Sequence, residues 1–563
     1  MKKLKILTLL AYFGIQYGYS QEKYNYAAFD WFEYEGKDSL FSQIILKENE
    51  YLNPILPGFY PDPSICRVND DYYLVNSSFS YFPGVPIFHS TDLVNWQQIG
   101  HILNRPSQLN LDQLPISYGI YAPTLRYHNG VFYMITTLVG GKDNFYVTAN
   151  NPSGPWSDPI WLPEIQGIDP SFFFDENNKA YIINNGPPPE NKELYEGHRA
   201  IWIQEFDLSS GKLTGPRKII VNGGSDISKK PVWIEGPHIF KTKGFYYLIA
   251  AEGGTGDEHS EVVFRSEDVW GPYLPFEGNP ILTQRKLDKN RKNPVSSTGH
   301  ADFVELPDGT WWVVFLGCRP YDNGFYNTGR ETFMLPVHWD GQWPIITNSN
   351  EEVKYVNKNP YLPAQAKTLS PMNGNFKVRD DFNSETLSYT WNLIRTPRDT
   401  WYSLKEKPGS LIIRPRPVAI YSNGNPSFIG RRQQHTNFSA SASMQFNPLS
   451  SKNTAGMVAF QNEKFYLFLG VKKVDNSAQI FVESSGSNLN NGKPTIIANA
   501  PLAQTQNVYL KIDGKGRYYS FYYATKQDQW VLLKENVDAS ILSTKIAGGF
   551  VGTYIGMYAF NEE

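Results

Sequence analysis

The sequence predicts an all-β protein in which a five-bladed β-propeller is followed by a β-sandwich. Aromatic residues make up 15% of the 563 residues, with 36 Tyr and 34 Phe, and such side chains suit a pleated, half-buried surface. Five similar units follow one another over residues 51–345. From residue 376 the pattern changes to short alternating strands separated by turn residues, which is typical of a β-sandwich.

The five units share one layout. Each has an apolar run, then a turn containing Asn, Asp, Lys or Gly, then a second apolar run, which is the pattern of a β-hairpin. Repeats of about 40–70 residues built this way predict the blades of a propeller. The first runs of the five units occupy residues 60–67, 121–127, 168–174, 234–240 and 299–305.

Three acidic residues lie at the start of a first run: Asp62 in unit one, Asp169 in unit three and Glu235 in unit four. Because the first strand of a blade lines the central channel, we expect these residues to meet at the channel mouth. For a single unit, the alternative is that Asp before Pro only starts a strand. Three carboxyl groups at equivalent positions favour a shared site.

Several motifs, in this order, resemble glycoside hydrolase family 43. They lie at residues 53–64, 88–96, 167–171, 233–238 and 297–302. Near the C-terminus, residues 380–382 and 427–433 resemble the concanavalin-like (jelly-roll) sandwich domain attached to many family 43 β-xylosidases. The resemblance implies a five-bladed propeller that hydrolyses xylosides or arabinosides with inversion of configuration.

The resemblance also implies a role for each acidic residue. Asp62 would be the general base and Glu235 the general acid, while Asp169 would orient Glu235 and raise its pKa. Glycoside hydrolysis needs two carboxyl groups, and in the inverting reaction one of them is protonated and the other ionised. Burial or a nearby negative charge would keep the proton on Glu235.

Five more residues are candidates for substrate binding. By resemblance, Tyr81 or Phe82 would wall the pocket, Arg330 would touch the sugar, and Phe428 would be the contact from the sandwich. His300 would lie near the channel axis, where relatives sometimes hold a calcium ion. The alternatives are a packed aromatic turn for Tyr81 and Phe82, a surface salt bridge for Arg330, and a structural role for His300. The sandwich could also be purely structural, or could bind xylan on its own.

The leading interpretation is an exo-acting enzyme that releases β-D-xylose, α-L-arabinofuranose or both from hemicellulose oligosaccharides derived from xylan, arabinoxylan or xyloglucan. No redox or organic cofactor is needed, and a structural calcium in the channel is left open. One alternative is an endo-acting arabinanase or xylanase, which would need an open cleft. Another is a non-catalytic carbohydrate-binding propeller, for which the presence of all three acidic residues is unfavourable.

Residues 1–20 have the pattern of a signal peptide, with Lys2, Lys3 and Lys5 before an apolar stretch. The sequence therefore predicts a periplasmic or secreted protein. We predict a leader at residues 21–50, in which Leu40, Ile44, Ile45 and Leu46 either form a short helix or strand that packs on the propeller or belong to a loose segment. A linker is predicted at residues 346–375.

The net charge of −3 gives no indication of nucleic acid or an anionic membrane as partner. After the signal peptide, no segment is apolar enough to cross a membrane. The two cysteines, Cys66 and Cys318, lie on apolar strands of units one and five. Buried free thiols are favoured over a disulfide between these blades. The oligomeric state is left open.

Overall fold

The structure is a computed structural model that describes residues 26–348, 350–365, 372–475, 477–486, 494–503 and 506–562. The predicted signal peptide at residues 1–20 lies outside this part of the chain, as do residues 366–371 of the predicted linker. Over these ranges, no helix has the length and apolar character that crossing a membrane requires. The first elements are β1 (Ala27–Gly36), the short helix α1 (Ser39–Gln43) and β2 (Glu50–Leu52).

Five antiparallel sheets form the blades of a propeller, which confirms the predicted fold. Blade one contains β3 (Ser64–Val68), β4 (Asp71–Val75), β6 (Gly84–Ser90) and β7 (Gln97–Leu103), while β5 (Tyr81–Phe82) lies outside it. Blade two contains β8 (Gly119–Ile120), β9 (Thr124–His128), β10 (Val131–Val139), β11 (Asp143–Ala149) and β12 (Ile160–Trp161). Blade three contains β13 (Ile168–Phe174), β14 (Ala180–Gly186), β15 (Ala200–Asp207) and β16 (Lys212–Asn222).

The last two blades complete the ring. Blade four contains β17 (Glu235–Thr242), β18 (Phe245–Glu252), β19 (Ser260–Ser266), β20 (Leu274–Pro275) and β21 (Leu282–Thr283). Blade five contains β22 (Ser296–Glu305), β23 (Trp311–Cys318), β24 (Glu331–Asp340) and β25 (Trp343–Ile345). The inner strands β3, β9, β13, β17 and β22 contact one another in this order, and β22 contacts β3. The N-terminal starts of the inner strands therefore surround one axis.

An ion pair between a buried carboxylate and a largely buried guanidinium links the inner strands of the ring. The Arg126 guanidinium donates to both carboxylate oxygens of Asp302, at 2.8 and 2.9 Å. Asp302 also accepts a hydrogen bond from the Ser64 hydroxyl at 2.7 Å, and His238 lies 3.1 Å from Arg126. These residues come from four different blades. The ion pair ties the blades together in a place where an unpaired charge would be strongly destabilising.

The C-terminal domain is a sandwich of two large antiparallel sheets. After β26 (Val356–Lys358), which pairs with β2, its strands are β27 (Lys377–Asp380), β28 (Asn392–Ile394), β29 (Tyr402–Ser403), β30 (Leu411–Ile413), β31 (Ser427–Arg432), β32 (Asn437–Gln445), β33 (Asn453–Asn462), β34 (Phe465–Val474), β35 (Ser477–Ser485), β36 (Thr495–Leu502), β37 (Val508–Lys515), β38 (Tyr518–Ala524), β39 (Val531–Asp538) and β40 (Tyr554–Asn561). A short helix, α2 (Thr544–Ala547), precedes β40. The sheets run β29-β30-β1-β32-β37-β38-β39, with β27 also on β1, and β36-β35-β34-β33-β40-β31-β28-β5.

The N-terminal strand corrects the prediction of a leader at residues 21–50. β1 pairs with β32 on one side and with β27 and β30 on the other, so it lies inside the first sandwich sheet. Phe29, Phe32 and Tyr34 of β1 are buried in the sandwich core. The alternation of apolar and polar residues in this strand fits a half-buried sheet. The chain therefore enters the sandwich before it forms the propeller.

The two domains also share a sheet edge and buried polar contacts. β5, from the propeller half of the chain, pairs with β28 at the edge of the second sandwich sheet. The Arg319 guanidinium of blade five contacts Glu331 at 2.7 Å and Asp38 at 2.9 Å, all three being buried. Arg432 of β31 donates to the Phe59 carbonyl at 2.6 Å. These contacts fix the position of the sandwich over the propeller face.

Both cysteines are buried free thiols. Cys66 lies on β3 and Cys318 ends β23, and burial raises the pKa of each thiol to about 12. Such thiols carry little thiolate at neutral pH, so they behave as small apolar side chains.

Candidate active site

A cavity of about 490 Å³ opens at the end of the propeller axis where the inner strands begin. Its size is within the usual range of small-molecule sites. Its polar lining includes Asp62, Asp169, Glu235, His300 and Arg330, and its aromatic lining is Phe79, Tyr121, Trp233 and Phe550. A larger cavity of about 680 Å³, between blade five and the sandwich, contains none of the three predicted acidic residues. The structure therefore brings the predicted catalytic residues, His300 and Arg330 into one pocket.

The backbone turns sharply at the start of three inner strands. Asp62, Asp169 and His300 have positive φ values of 51°, 53° and 53°. Pairing between the first two strands shifts register near Asp169 and near His300, which marks local bulges. A bulge re-aims a side chain away from the regular strand direction. The repeated conformation therefore points side chains from different blades at the same cavity.

Glu235 does not occupy the position equivalent to Asp62 and Asp169, contrary to the sequence prediction. The equivalent residue of blade four is Gly236, which also precedes a proline and has a φ of 58°. A β-carbon at Gly236 would lie 2.9 Å from the Nε2 atom of His300. Because there is no room for a side chain at that position, the carboxyl group comes from the residue before it.

Asp62 is held in its ionised form. Burial alone would raise its pKa, but the positive charges of Arg330 and His300 and a hydrogen bond from Ser77 outweigh burial and lower the pKa below its usual value. The Arg330 guanidinium donates to Asp62 at 2.9 Å, and the Ser77 hydroxyl donates at 2.5 Å. The His300 Nδ1 atom lies 3.8 Å from the same oxygen as Arg330. Such a carboxylate can accept a proton from a nearby water.

Glu235 is held in its protonated form. Burial is the largest cause, and the negative charges of Asp169 and Asp62 add to it, so the pKa of Glu235 lies well above its usual value. The pKa of Asp169 is also raised, by burial and by Asp62, while His300 and the Gly236 amide oppose this rise. The Gly236 amide donates to Asp169 at 3.1 Å. Two carboxyl groups with opposite protonation preferences thus share one pocket, which is the arrangement that acid–base catalysis needs.

The residues around His300 give little support to the predicted calcium. Calcium prefers six to eight oxygen ligands, whereas His300 offers nitrogen and its neighbour Asp62 is already bound by Arg330. Among the residues that the structure describes, no group of three or more His, Cys, Asp or Glu side chains is placed to hold a metal ion. Calcium in the channel stays a prediction.

The aromatic residues that line the pocket differ from those predicted. Tyr81 and Phe82 form β5 at the edge of the sandwich, where Tyr81 stacks on Tyr554 at 3.9 Å between ring centroids. Their side chains are therefore used for packing between the domains, and Phe79 lines the pocket instead. Phe79 has a φ of 50°, which turns the chain at this point.

Phe428 does not reach the pocket from the sandwich. It lies on β31 with no exposed surface, and its ring packs on Phe460. The sandwich residue in the pocket is Phe550, from the loop between α2 and β40. Its amide donates to the Ser117 hydroxyl at 3.1 Å, and its ring lies 6.0 Å from that of Tyr121. Phe550 lies in a Gly-rich loop without strand periodicity, so sequence reasoning had no pattern with which to find it.

Trp233 is a pocket residue to which the sequence analysis gave no role. It lines the cavity two residues before Glu235, and its side chain opposes the rise that burial causes in the pKa of the Glu235 carboxyl. Its φ of 56° is unusual for a large side chain. Strain of this kind costs about 1–3 kcal/mol and persists at sites that the surrounding structure fixes. Its place in the motif at residues 233–238 is the signal that could have identified it.

Comparison with protein families gives two matches that together span most of the chain. Residues 51–344 match the model of glycosyl hydrolases family 43. Residues 379–563 match the model of the beta xylosidase C-terminal concanavalin A-like domain. The first match covers all five blades, and the second covers most of the sandwich apart from β1.

Individual relatives are similar over nearly the whole chain. A xylosidase/arabinosidase of Butyrivibrio fibrisolvens is 41% identical over 522 residues, which cover 90% of this chain and 95% of the relative. A non-reducing end alpha-L-arabinofuranosidase of Bacteroides ovatus is 38% identical, with 92% and 93% covered. The crystal structure of a GH43_12 protein retrieved from a capybara gut metagenome has a TM-score of 0.89 and 43% identity, with 95% and 99% covered.

Replacing Gly236 with Ala tests the tight packing beneath the pocket. The new methyl group would meet His300 and would sit on a backbone with a φ of 58°. Gly244→Ala is the matched control, because Gly244 also has a positive φ but has open space around it. We expect Gly244→Ala to lower the free energy of unfolding by about 1–2 kcal/mol through backbone strain. Gly236→Ala should lower the free energy of unfolding, measured by urea titration, by more than Gly244→Ala does. Equal losses in the two variants would contradict the crowding at Gly236.

Proposed function

The chain belongs to family 43 of the glycosyl hydrolases and is a glycoside hydrolase; from this premise we propose that it removes single β-D-xylose or α-L-arabinofuranose units from the ends of hemicellulose oligosaccharides, with inversion. The observation that carries the proposal is the pairing of an ionised Asp62 with a protonated Glu235 in one pocket. The sugar classes come from the names of the two relatives.

The proposed reaction is a single displacement. Asp62 takes a proton from a water molecule whose oxygen attacks the anomeric carbon. The bond between that carbon and the leaving oxygen breaks, and Glu235 gives its proton to the leaving oxygen. Asp169 keeps Glu235 protonated until that moment and contacts the backbone next to it. Solvent then returns the proton from Asp62 to Glu235, so the cycle is balanced.

The shape of the pocket supports exo action. Phe79 and Tyr121 from the propeller and Phe550 from the sandwich form aromatic walls around the carboxyl groups. An endo-acting enzyme needs a cleft that lets the polysaccharide pass on both sides of the cleaved bond, and the Phe550 loop lies against blade two through Ser117. Oligosaccharides rather than monosaccharide as first products would favour the endo-acting alternative.

Two isosteric variants test the assignment of base and acid. Asp62→Asn removes the base, so we expect kcat to fall by about 10³-fold or more on both an aryl xyloside and xylobiose. Glu235→Gln removes the acid, so we expect about a 10²–10⁴-fold loss on xylobiose but a much smaller loss on a nitrophenyl xyloside, whose leaving group needs little protonation. Stopped assays with both substrates measure this, and equal losses for the two variants on both substrates would contradict the roles.

The protonation states predict a bell-shaped dependence of kcat/KM on pH. Activity should fall at low pH as Asp62 takes up a proton, and at high pH as Glu235 loses its proton. Because the Ser77 hydroxyl stabilises only the ionised form of Asp62, Ser77→Ala should move the acid limb up by about one pH unit. Ser78→Ala is the control, because the Ser78 hydroxyl binds the Val85 amide instead. An acid limb unchanged in Ser77→Ala would contradict the assignment of that limb to Asp62.

We also propose that the reaction requires no cofactor, because proton transfer between water, carboxyl groups and sugar is complete in itself. Dialysis against a chelator should then leave kcat unchanged. The chelator could instead lower kcat. If added calcium then restores kcat in the native protein but not in the His300→Ala variant, the result would establish a calcium ion at the channel axis.

We further propose that residues 1–20 direct export to the periplasm or beyond, from their basic and apolar pattern. Mass spectrometry of the protein purified from its native cells should then find an N-terminus near Gln21 in the exported fraction. An uncleaved chain in the cytosol would refute this.

A further inference from the structure

We propose that a second cavity, next to the catalytic pocket, binds the leaving-group side of the substrate, so that the enzyme prefers oligosaccharides with two or more sugar units beyond the cleaved bond. This inference rests on the proposed function. The cavity has a volume of about 400 Å³ and lies between the loop that follows β14 and the start of blade four. Its polar side chains are Asn185, Asn191, Glu193 and Arg199.

The two cavities are adjacent. Ile168 and Trp233 line both of them, so a ligand that leaves the catalytic pocket across these residues enters the second cavity. Each cavity, at about 490 and 400 Å³, is within the size range of small-molecule sites. The second cavity therefore lies directly beside the catalytic pocket, on the side of blade three.

The second cavity lies on the side of the general acid. Glu235 gives its proton to the leaving oxygen, so the leaving group must lie next to Glu235. Trp233, two residues before Glu235 in the chain, lines both cavities and forms the boundary between them. A sugar bonded through the leaving oxygen would therefore contact Trp233 first, and the next sugar unit would reach Arg199 and Glu193.

The chemistry of the cavity suits a neutral, hydroxyl-rich ligand. The Arg199 guanidinium lies 4.0 Å from the centre of the Trp233 ring, and it pairs with Glu193 at 2.5 Å. This pair balances the charges, so the cavity does not select an anion. Both side chains keep solvent contact, with 22% of Arg199 and 44% of Glu193 exposed. Their remaining donors and acceptors, with the amide of Asn191, match vicinal sugar hydroxyls.

The cavity wall is held in place before any ligand binds. The ring of His198 is buried and contacts Asn222 at 2.9 Å and the Leu194 amide at 3.2 Å, which fixes the loop to blade three. The Trp233 amide donates to the Gly197 carbonyl at 2.8 Å, and this hydrogen bond holds the loop against Trp233. A preformed wall reduces the entropy lost on binding.

The test compares kcat/KM on xylobiose, xylotriose and xylotetraose, or on arabinose-terminated oligosaccharides of matched lengths if the enzyme prefers arabinofuranosides. We expect kcat/KM of the native enzyme to rise about tenfold from the substrate with two sugar units to the substrate with three. Arg199→Ala and, independently, Asn191→Ala should remove most of this gain. Glu190→Gln is the control on the same loop, because Glu190 is exposed, pairs with Lys192 and does not line the cavity; it should keep the gain.

The outcomes separate this inference from the proposed function. Activity that does not increase with chain length, or variants that slow all lengths equally, would overturn the second cavity as a binding site while leaving glycoside hydrolysis in place. Loss of the gain in Glu190→Gln as well would also overturn it, because the effect would then belong to the loop as a whole. A native protein without activity on any of the oligosaccharides or on aryl glycosides would instead overturn the proposed function.

Discussion

The burial of three carboxyl groups beside one guanidinium is the constraint on which the site depends. Asp62, Asp169 and Glu235 are each about 5–6% exposed, and three buried negative charges could not be accommodated together. Arg330 contacts Asp62 directly, so Asp62 keeps its charge while Glu235 takes the proton. The base is thus the carboxyl group that the cation contacts, and the acid is the one that burial and its acidic neighbours keep protonated.

The propeller does not complete this site without the sandwich. Phe550 supplies one wall, and its loop is anchored to Ser117 of the propeller half. The sandwich is in turn built around β1, which precedes the propeller in the chain, and extended by β5, which interrupts blade one. Because both ends of the propeller are held by one domain, the relative position of the domains is fixed, and a pocket wall can be shared between them.

Trp233 lies between the catalytic pocket and the proposed leaving-group cavity. It lines the catalytic pocket together with Glu235 and carries Arg199 over its ring. Its strained backbone is maintained by the loop from blade three through Gly197. A change in that loop would therefore alter the position of Trp233, which lines both cavities, without changing the carboxyl groups themselves.

The sequence by itself determined the architecture, the order of the blades and the acidic residues, because repeats, alternation and strand-starting motifs are local patterns. It also pointed to His300 and Arg330 through their motifs. Tertiary structure decided the rest. Tyr81 and Phe82 look like pocket residues but complete a sheet of the sandwich, and residues 27–36 look like a leader but form a central strand. Phe550 and the one-residue offset of Glu235 depend on contacts between segments far apart in the chain, such as His300 against Gly236. A local sequence pattern cannot predict which side chain from a distant part of the chain will occupy a given space.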